Sequence, residues 1–197
     1  MYFSKIQKIL LFASGLWFFG EGLFGPLFAV FTEKIGGDLL DITWAWSIYS
    51  VALGLMYFFI GKLLSKSKKK EEIMVLGYFL NTLFTFSYIL VHNSYQLFMV
   101  QIGLAIAESL STPTWDSIFA NELDEPGNSF LWGIAGGQSH FVSGIAIAIG
   151  GLITYYISFN ALFIIMGCIQ AIATLVQSRI VILKRKNAAA DPENQDS

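Results

Sequence analysis

Two carboxylates stand inside long apolar runs of this chain. One is Glu21 in Glu21-Gly22-Leu23-Phe24-Gly25-Pro26, the other Glu108 in Glu108-Ser109-Leu110-Ser111-Thr112-Pro113. Glu, Leu and Pro recur at equal spacing, and Phe31-Thr32-Glu33 is echoed by Phe119-Ala120-Asn121-Glu122. A carboxylate at the centre of a membrane helix costs at least ~2.5–3.5 kcal/mol and is by default a functional residue. In a poorly solvated site a carboxyl group can cycle between protonated and charged forms, the chemistry of proton coupling or of holding a cation. The structural alternative is a carboxyl hydrogen-bonded to a neighbouring helix.

Further polar residues fall near these two. Asp116 lies eight residues after Glu108 and Gln101 seven before it, both near one helical face with it. Gln138 and His140 sit together on a later run, where a histidine can relay protons or simply close an interhelical hydrogen bond. Asn81, Gln170 and Gln177 read as polar contacts between helices, and Trp17, Phe18, Phe19, Phe24 and Phe28 as pocket-lining or lipid-facing aromatics. Pro26 and Pro113 lack the N–H that would bond a carbonyl one turn back, which loosens the helix close to each carboxylate. Glu21 is also flanked by Gly20 and Gly22, so Glu21 is the stronger candidate for carrying charge.

Enzyme chemistry finds no footing. There is no His-x-x-x-His pair, Gly-x-Ser-x-Gly elbow or phosphate-binding glycine loop. Ser143 and His140 share one helix, and His92 falls in a loop. The single cysteine, Cys168, excludes an internal disulfide and a Cys-based metal cluster. No cofactor, metal or nucleic-acid partner is expected.

The elements that position these residues follow from composition. The 197 residues are 55% hydrophobic and only 13% charged, with a mean hydropathy of +0.61. Such scarce charge defines an integral membrane protein. Six runs approach the ~20 residues that cross a ~30 Å hydrocarbon core: 8–31, 43–64, 73–91, 95–119, 130–156 and 160–183. The first is too long, and too interrupted by Glu21, for a cleaved signal peptide. Residues 1–183 form one transmembrane domain, and 184–197 read as a polar, disordered cytoplasmic tail. At ~1.5 Å per residue, Glu21 and Glu108 both come out ~20 Å from a helix end, near mid-depth. With both termini inside, eleven of the twelve Lys and Arg residues fall on the cytoplasmic side and only Lys34 outside, a strong positive-inside bias. Trp44 and Trp46 then anchor the outer interface.

Between the second and third runs stands Gly61-Lys62-Leu63-Leu64-Ser65-Lys66-Ser67-Lys68-Lys69-Lys70, in which Gly61, Leu63, Lys66, Lys69 and Lys70 fit a Gly-x-Leu-plus-basic loop. Pro113, Asn121-Glu122-Leu123 and Pro126-Gly127-Asn128 follow later, then Gly144 and Gly150-Gly151. In this order the motifs resemble the N-terminal six-helix half of the major facilitator superfamily, over residues 8–183. Ser65 replaces the family's loop Asp, Lys68 its second Gly, and the fourth-helix Arg and the fifth-helix Gly-Pro pair are absent.

The resemblance implies an all-α membrane protein whose six helices form two inverted three-helix repeats. It places Glu21 and Glu108 on the substrate path, with Asp116, Gln101, His140 and Gln138 as secondary candidates. It implies a half-size, proton-coupled secondary transporter of a small solute in the cytoplasmic membrane. That transporter is completed by a homodimer or a second six-helix half, because the concave polar face of one half is unfavourable against lipid. The absence of basic residues at mid-membrane argues against a strongly anionic substrate. The alternative is a non-transporting scaffold or regulatory subunit that retains the fold.

Overall fold

The computed structural model describes residues 3–65, 67–123 and 129–190, with side chains to 186. The described residues are helical, without strands. The first crossing is α1 (Lys5–Phe24), a 3-10 turn (Gly25–Leu27) and α2 (Phe28–Lys34). Then come α3 (Leu39–Leu64), α4 (Lys70–Ser87) with a 3-10 turn (Tyr88–Leu90), α5 (Ser94–Asn121), α6 (Ser129–Tyr156) and α7 (Phe159–Ala190).

Local sequence sets the starts. Ser4 and Gln7 cap α1 reciprocally, Asp38 and Asp41 do the same for α3, and the Asn93 side chain accepts from Gln96 N–H at the start of α5. Each side chain satisfies backbone N–H groups that the first helical turn leaves unpaired. Pro26 breaks the first crossing into two helices joined by the 3-10 turn. Pro113 does not break α5, which runs unbroken through it. There the hydroxyls of Ser111 and Thr114 bond carbonyls of the preceding turn, Ala107 and Leu110.

Two expected boundaries differ. The expected fourth span, 95–119, exists as α5, but α5 is not among the five crossings that are long and apolar enough on their own. Gln96, Gln101, Glu108, Asp116 and six Ser or Thr residues from 94 to 117 lower its hydropathy, and its neighbours cover it instead. The last helix extends past 183 to Ala190. Lys184 and Arg185 continue it because they meet Glu71 at 2.6 Å and Glu72 at 3.5 Å, at the start of α4. Residues 191–197, Lys66 and the 124–128 segment lie outside the described residues.

Packing is regular. α1 lies against α6 and α7, α5 against α3 and α4, and α4 against α7. Gln7 Nε2 donates to the Glu122 carbonyl at 2.6 Å. This bond and the Lys184–Glu71 pair put the starts of α1 and α4 and the ends of α5 and α7 at one end of the bundle. We call it the terminal end. α1 and α6 approach at backbone distance, since a Cβ on Gly150 would stand 1.9 Å from the Leu23 carbonyl oxygen.

Two apolar clusters fill the bundle. At the terminal end lie Leu10, Trp17, Met74, Tyr78, Phe119 and Ile180; at the far end Phe24, Phe28, Phe31, Tyr88, Phe159 and Phe163. Tyr88 and Phe163 stack at 5.2 Å, and Phe24 meets Phe28, Phe31, Tyr88 and Phe163 edge-on. Such ring pairs contribute roughly 0.5–1.5 kcal/mol each beyond the area they bury. Between lipid-facing helices polar bonds matter as well as packing, and Thr82 and Thr174 share one at 3.0 Å between α4 and α7. By contrast, α3 buries only Ala45 and Leu64, and α6 only Leu131, Ala146 and Gly150. These two helices flank a face that the described residues leave uncovered.

Candidate functional site: a carboxylate layer between two cavities

Two cavities open between α1 and α5. The one toward the terminal end, about 480 Å³, is lined by Trp17, Trp115, Trp132, Ser139 and Asp116 among others. The one toward the far end, about 310 Å³, is lined by Phe28, Trp46, Tyr49, Asn81 and Gln101 among others. Two residues line both, Glu21 and Glu108. They therefore form the layer that separates the cavities.

The two carboxylates are anchored differently. Glu21 Oε1 accepts one hydrogen bond from Asn81 Nδ2 of α4 and one from Gln170 Nε2 of α7, each at 3.1 Å. Both amides are buried, whereas Glu21 itself is exposed on the uncovered face. Glu108 Oε2 accepts from the phenolic hydroxyl of Tyr49 on α3. Tyr49 in turn packs edge-on against Trp46 at 5.9 Å. No lining residue of either cavity is basic.

The other sequence candidates separate. Asp116 is exposed and lines the terminal-end cavity. Gln101 is buried, lines the far-end cavity, and accepts from the Tyr88 hydroxyl at 3.1 Å. Gln138 lines neither cavity; its Nε2 donates to the Leu11 carbonyl at 2.6 Å and so stitches α6 to α1. His140 is exposed on α6 and lines neither cavity. Of the aromatics, Trp17 and Phe18 line the terminal-end cavity, Phe24 and Phe28 the far-end one, and Phe19 packs against the apolar core. Gly61 and Leu63 form the last turn of α3; Lys69 precedes α4, and Lys70 donates to Ser117 Oγ at 2.8 Å.

Sequence reasoning left out Tyr49, Trp115 and Trp132. Tyr49 carried no signal, being one aromatic in an apolar helix. Asn81 and Gln170 were read only as contacts between helices, and their polarity inside apolar runs was the available sign. Among the described residues no group of three His, Cys, Asp or Glu side chains is placed to hold a metal.

The profile of the Major Facilitator Superfamily matches residues 10–196. The chain belongs to the Major Facilitator Superfamily. It is 25% identical over 127 residues to the proton-coupled antiporter flippase LtaA of Staphylococcus haemolyticus (strain JCSC1435). It is 23% identical over the same length to the protein of that name from Staphylococcus saprophyticus subsp. saprophyticus. Each match covers 64% of this chain and 32% of the relative. The chain thus matches about a third of the length of these superfamily members, and its spans make it a multi-pass membrane protein.

Proposed function

We propose that this chain is one six-helix half of a proton-coupled secondary transporter of a small solute. The observation that carries the reading is that, among the described residues, Glu21 and Glu108 alone border both cavities. A solute or proton passing between the cavities meets both carboxyls. The relatives' printed name, proton-coupled antiporter flippase, supports coupling to protons.

The packing supports two inverted three-helix repeats. If the first crossing corresponds to α5, α3 to α6 and α4 to α7, then the α1–α6 contact matches α5–α3 and α1–α7 matches α5–α4. A second six-helix unit, a copy of this chain or a separate half, covers the face between α3 and α6 and encloses the path. Both termini lie on the cytoplasmic side of the cell membrane, as the basic residues direct.

One observation favours a second reading, a membrane scaffold that kept the fold. Glu71, an acid close to the Ser65 position, is committed to Lys184 and so does not replace the missing loop Asp. Proteoliposomes with a trapped pH dye discriminate between the two. A fluorescent lipid and soluble organic cations serve as probes. Probe-dependent proton movement in the wild type, lost in Glu21→Gln/Glu108→Gln, supports transport. Full movement in that double variant overturns the carboxylate assignment, and none in the wild type supports the scaffold.

A further inference from the structure

We propose that Asn81 and Gln170 are positioning residues for Glu21, fixing which carboxylate oxygen faces the path. The inference rests on the reading of Glu21 given above. Both amides converge on the same oxygen, Oε1, at 3.1 Å. No hydrogen bond joins Oε2 to a described residue, and Glu21 lines both cavities. One oxygen is thus held and the other left to the path.

Three features set this pair apart from ordinary contacts between helices. The donors come from two different helices, α4 and α7, so Oε1 is held from two directions. Gln170 uses its amide nitrogen twice, on Glu21 Oε1 and on the Trp17 carbonyl at 3.2 Å, while its own Oε1 is buried without a hydrogen-bond partner. A buried carbonyl oxygen left unpaired is unfavourable. Turning the amide over would set that oxygen against the carboxylate, so the observed orientation is the one Glu21 selects. Finally, α1 makes room for the amide: a Cβ on Gly20 would stand 2.6 Å from Gln170 Nε2. The glycine beside Glu21 is a seat for the residue that holds it.

A carboxylate held by two N–H donors favours its charged form, because hydrogen bonds to a charged group are the stronger ones. A hydrophobic carbodiimide reacts only with a protonated carboxyl, so it reads the clamp without any transport. Glu21 labelling is followed by peptide mass spectrometry at pH 7 on purified protein in lipid nanodiscs. Gln170→Met and Asn81→Leu each raise its initial rate, by up to about twofold.

Gly20→Ala, which keeps both donors and displaces the flexible Gln170 amide, raises it in the same direction and adds nothing in the Gln170→Met background. Gln177→Met, which removes another buried α7 amide whose Nε2 meets Met74 Sδ instead, leaves it unchanged. Unaltered Glu21 labelling in both Gln170→Met and Gly20→Ala overturns the proposal. So does an equal rise in Gln177→Met, which marks general loosening. Labelling that responds as expected in a protein with no probe-dependent proton movement retains the clamp and rejects the transport reading.

Discussion

Glu21 on α1 and Glu108 on α5 border the same two cavities but are held by opposite kinds of partner. Two amides hold Glu21 and can only donate through their N–H groups. A phenol holds Glu108, and a hydroxyl can donate to a carboxylate or accept from a carboxylic acid. Glu108 therefore keeps a hydrogen bond in either protonation state. The bonds to Glu21 weaken when it is neutral, from roughly 1.5–3 kcal/mol each toward roughly 1. A change of charge at Glu21 is felt by α4 and α7, whereas at Glu108 it stays within the α3–α5 pair.

Tyr49→Phe tests the Glu108 side. It removes the hydroxyl and keeps the ring that packs on Trp46, so the fold should persist. Loss of one charge-assisted bond of about 1.5 kcal/mol should lower probe-dependent proton movement roughly tenfold. The fall should be smaller than in Glu108→Gln. Proteoliposome rates measured beside thermal unfolding in detergent check this. An unchanged rate would mean that the phenol does not hold the working form of Glu108.

Gly150→Ala should destabilise the bundle. The new Cβ would stand 1.9 Å from the Leu23 carbonyl oxygen, a backbone atom that cannot rotate away, so α1 and α6 must separate. Overpacking of this kind costs roughly 1–3 kcal/mol. Gly144→Ala, on the same helix with nothing within 4 Å of its Cβ, should unfold like the wild type. Thermal midpoints of the two variants, taken side by side, decide it.

How far the sequence could be read depends on which physical signal was local. Helix positions were legible because apolar run length is a property of one segment; the two prolines were read alike as loosening their helices, and only Pro26 interrupts its own. Glu21 and Glu108 were legible because an ionisable residue in such a run stands out. Their partners were not. Tyr49 meets Glu108 across 59 positions and Gln170 meets Glu21 across 149, and nothing in one helix states how its neighbours are rotated about their axes. The same lack explains His140. The depth of that residue in α6 could be counted, but its face could not, because α6 is apolar nearly all round and offers no stripe to orient it. The end of α7 was misjudged for a related reason: its basic residues are continued in the helix by acids on α4.

Those acids give an unequal pair of predictions. Lys184 meets Glu71, whose side chain is only 10% exposed and whose Oε2 is buried without a hydrogen bond; Arg185 meets Glu72, with both side chains more than a third exposed. Removing Lys184 leaves a largely buried carboxylate without its cation. Because Lys184 is itself 54% exposed, solvent screening limits the loss to roughly 1 kcal/mol. Arg185→Met should be close to neutral. Lys184→Met should therefore lower the thermal midpoint measurably more than Arg185→Met, and Glu71→Leu added to Lys184→Met should recover part of the loss. Equal midpoints for the two single variants would show that the α4–α7 pair adds nothing to the terminal end.

Orientation in the membrane is open to direct chemical test. Asp38 caps α3 at the far end of the bundle and Lys68 lies between α3 and α4 at the terminal end; both are exposed. The exposed Cys168 is first removed so that it does not react. Among the described residues ten basic side chains belong to the terminal side and Lys34 alone to the other, so the positive-inside rule predicts a cytoplasmic terminal end. A membrane-impermeant maleimide should then label Asp38→Cys in intact cells, and Lys68→Cys only after permeabilisation. Labelling of position 68 in intact cells, with position 38 silent, would invert the assignment. The cavity lined by Trp17, Trp115 and Trp132 would then face outward rather than toward the cytoplasm.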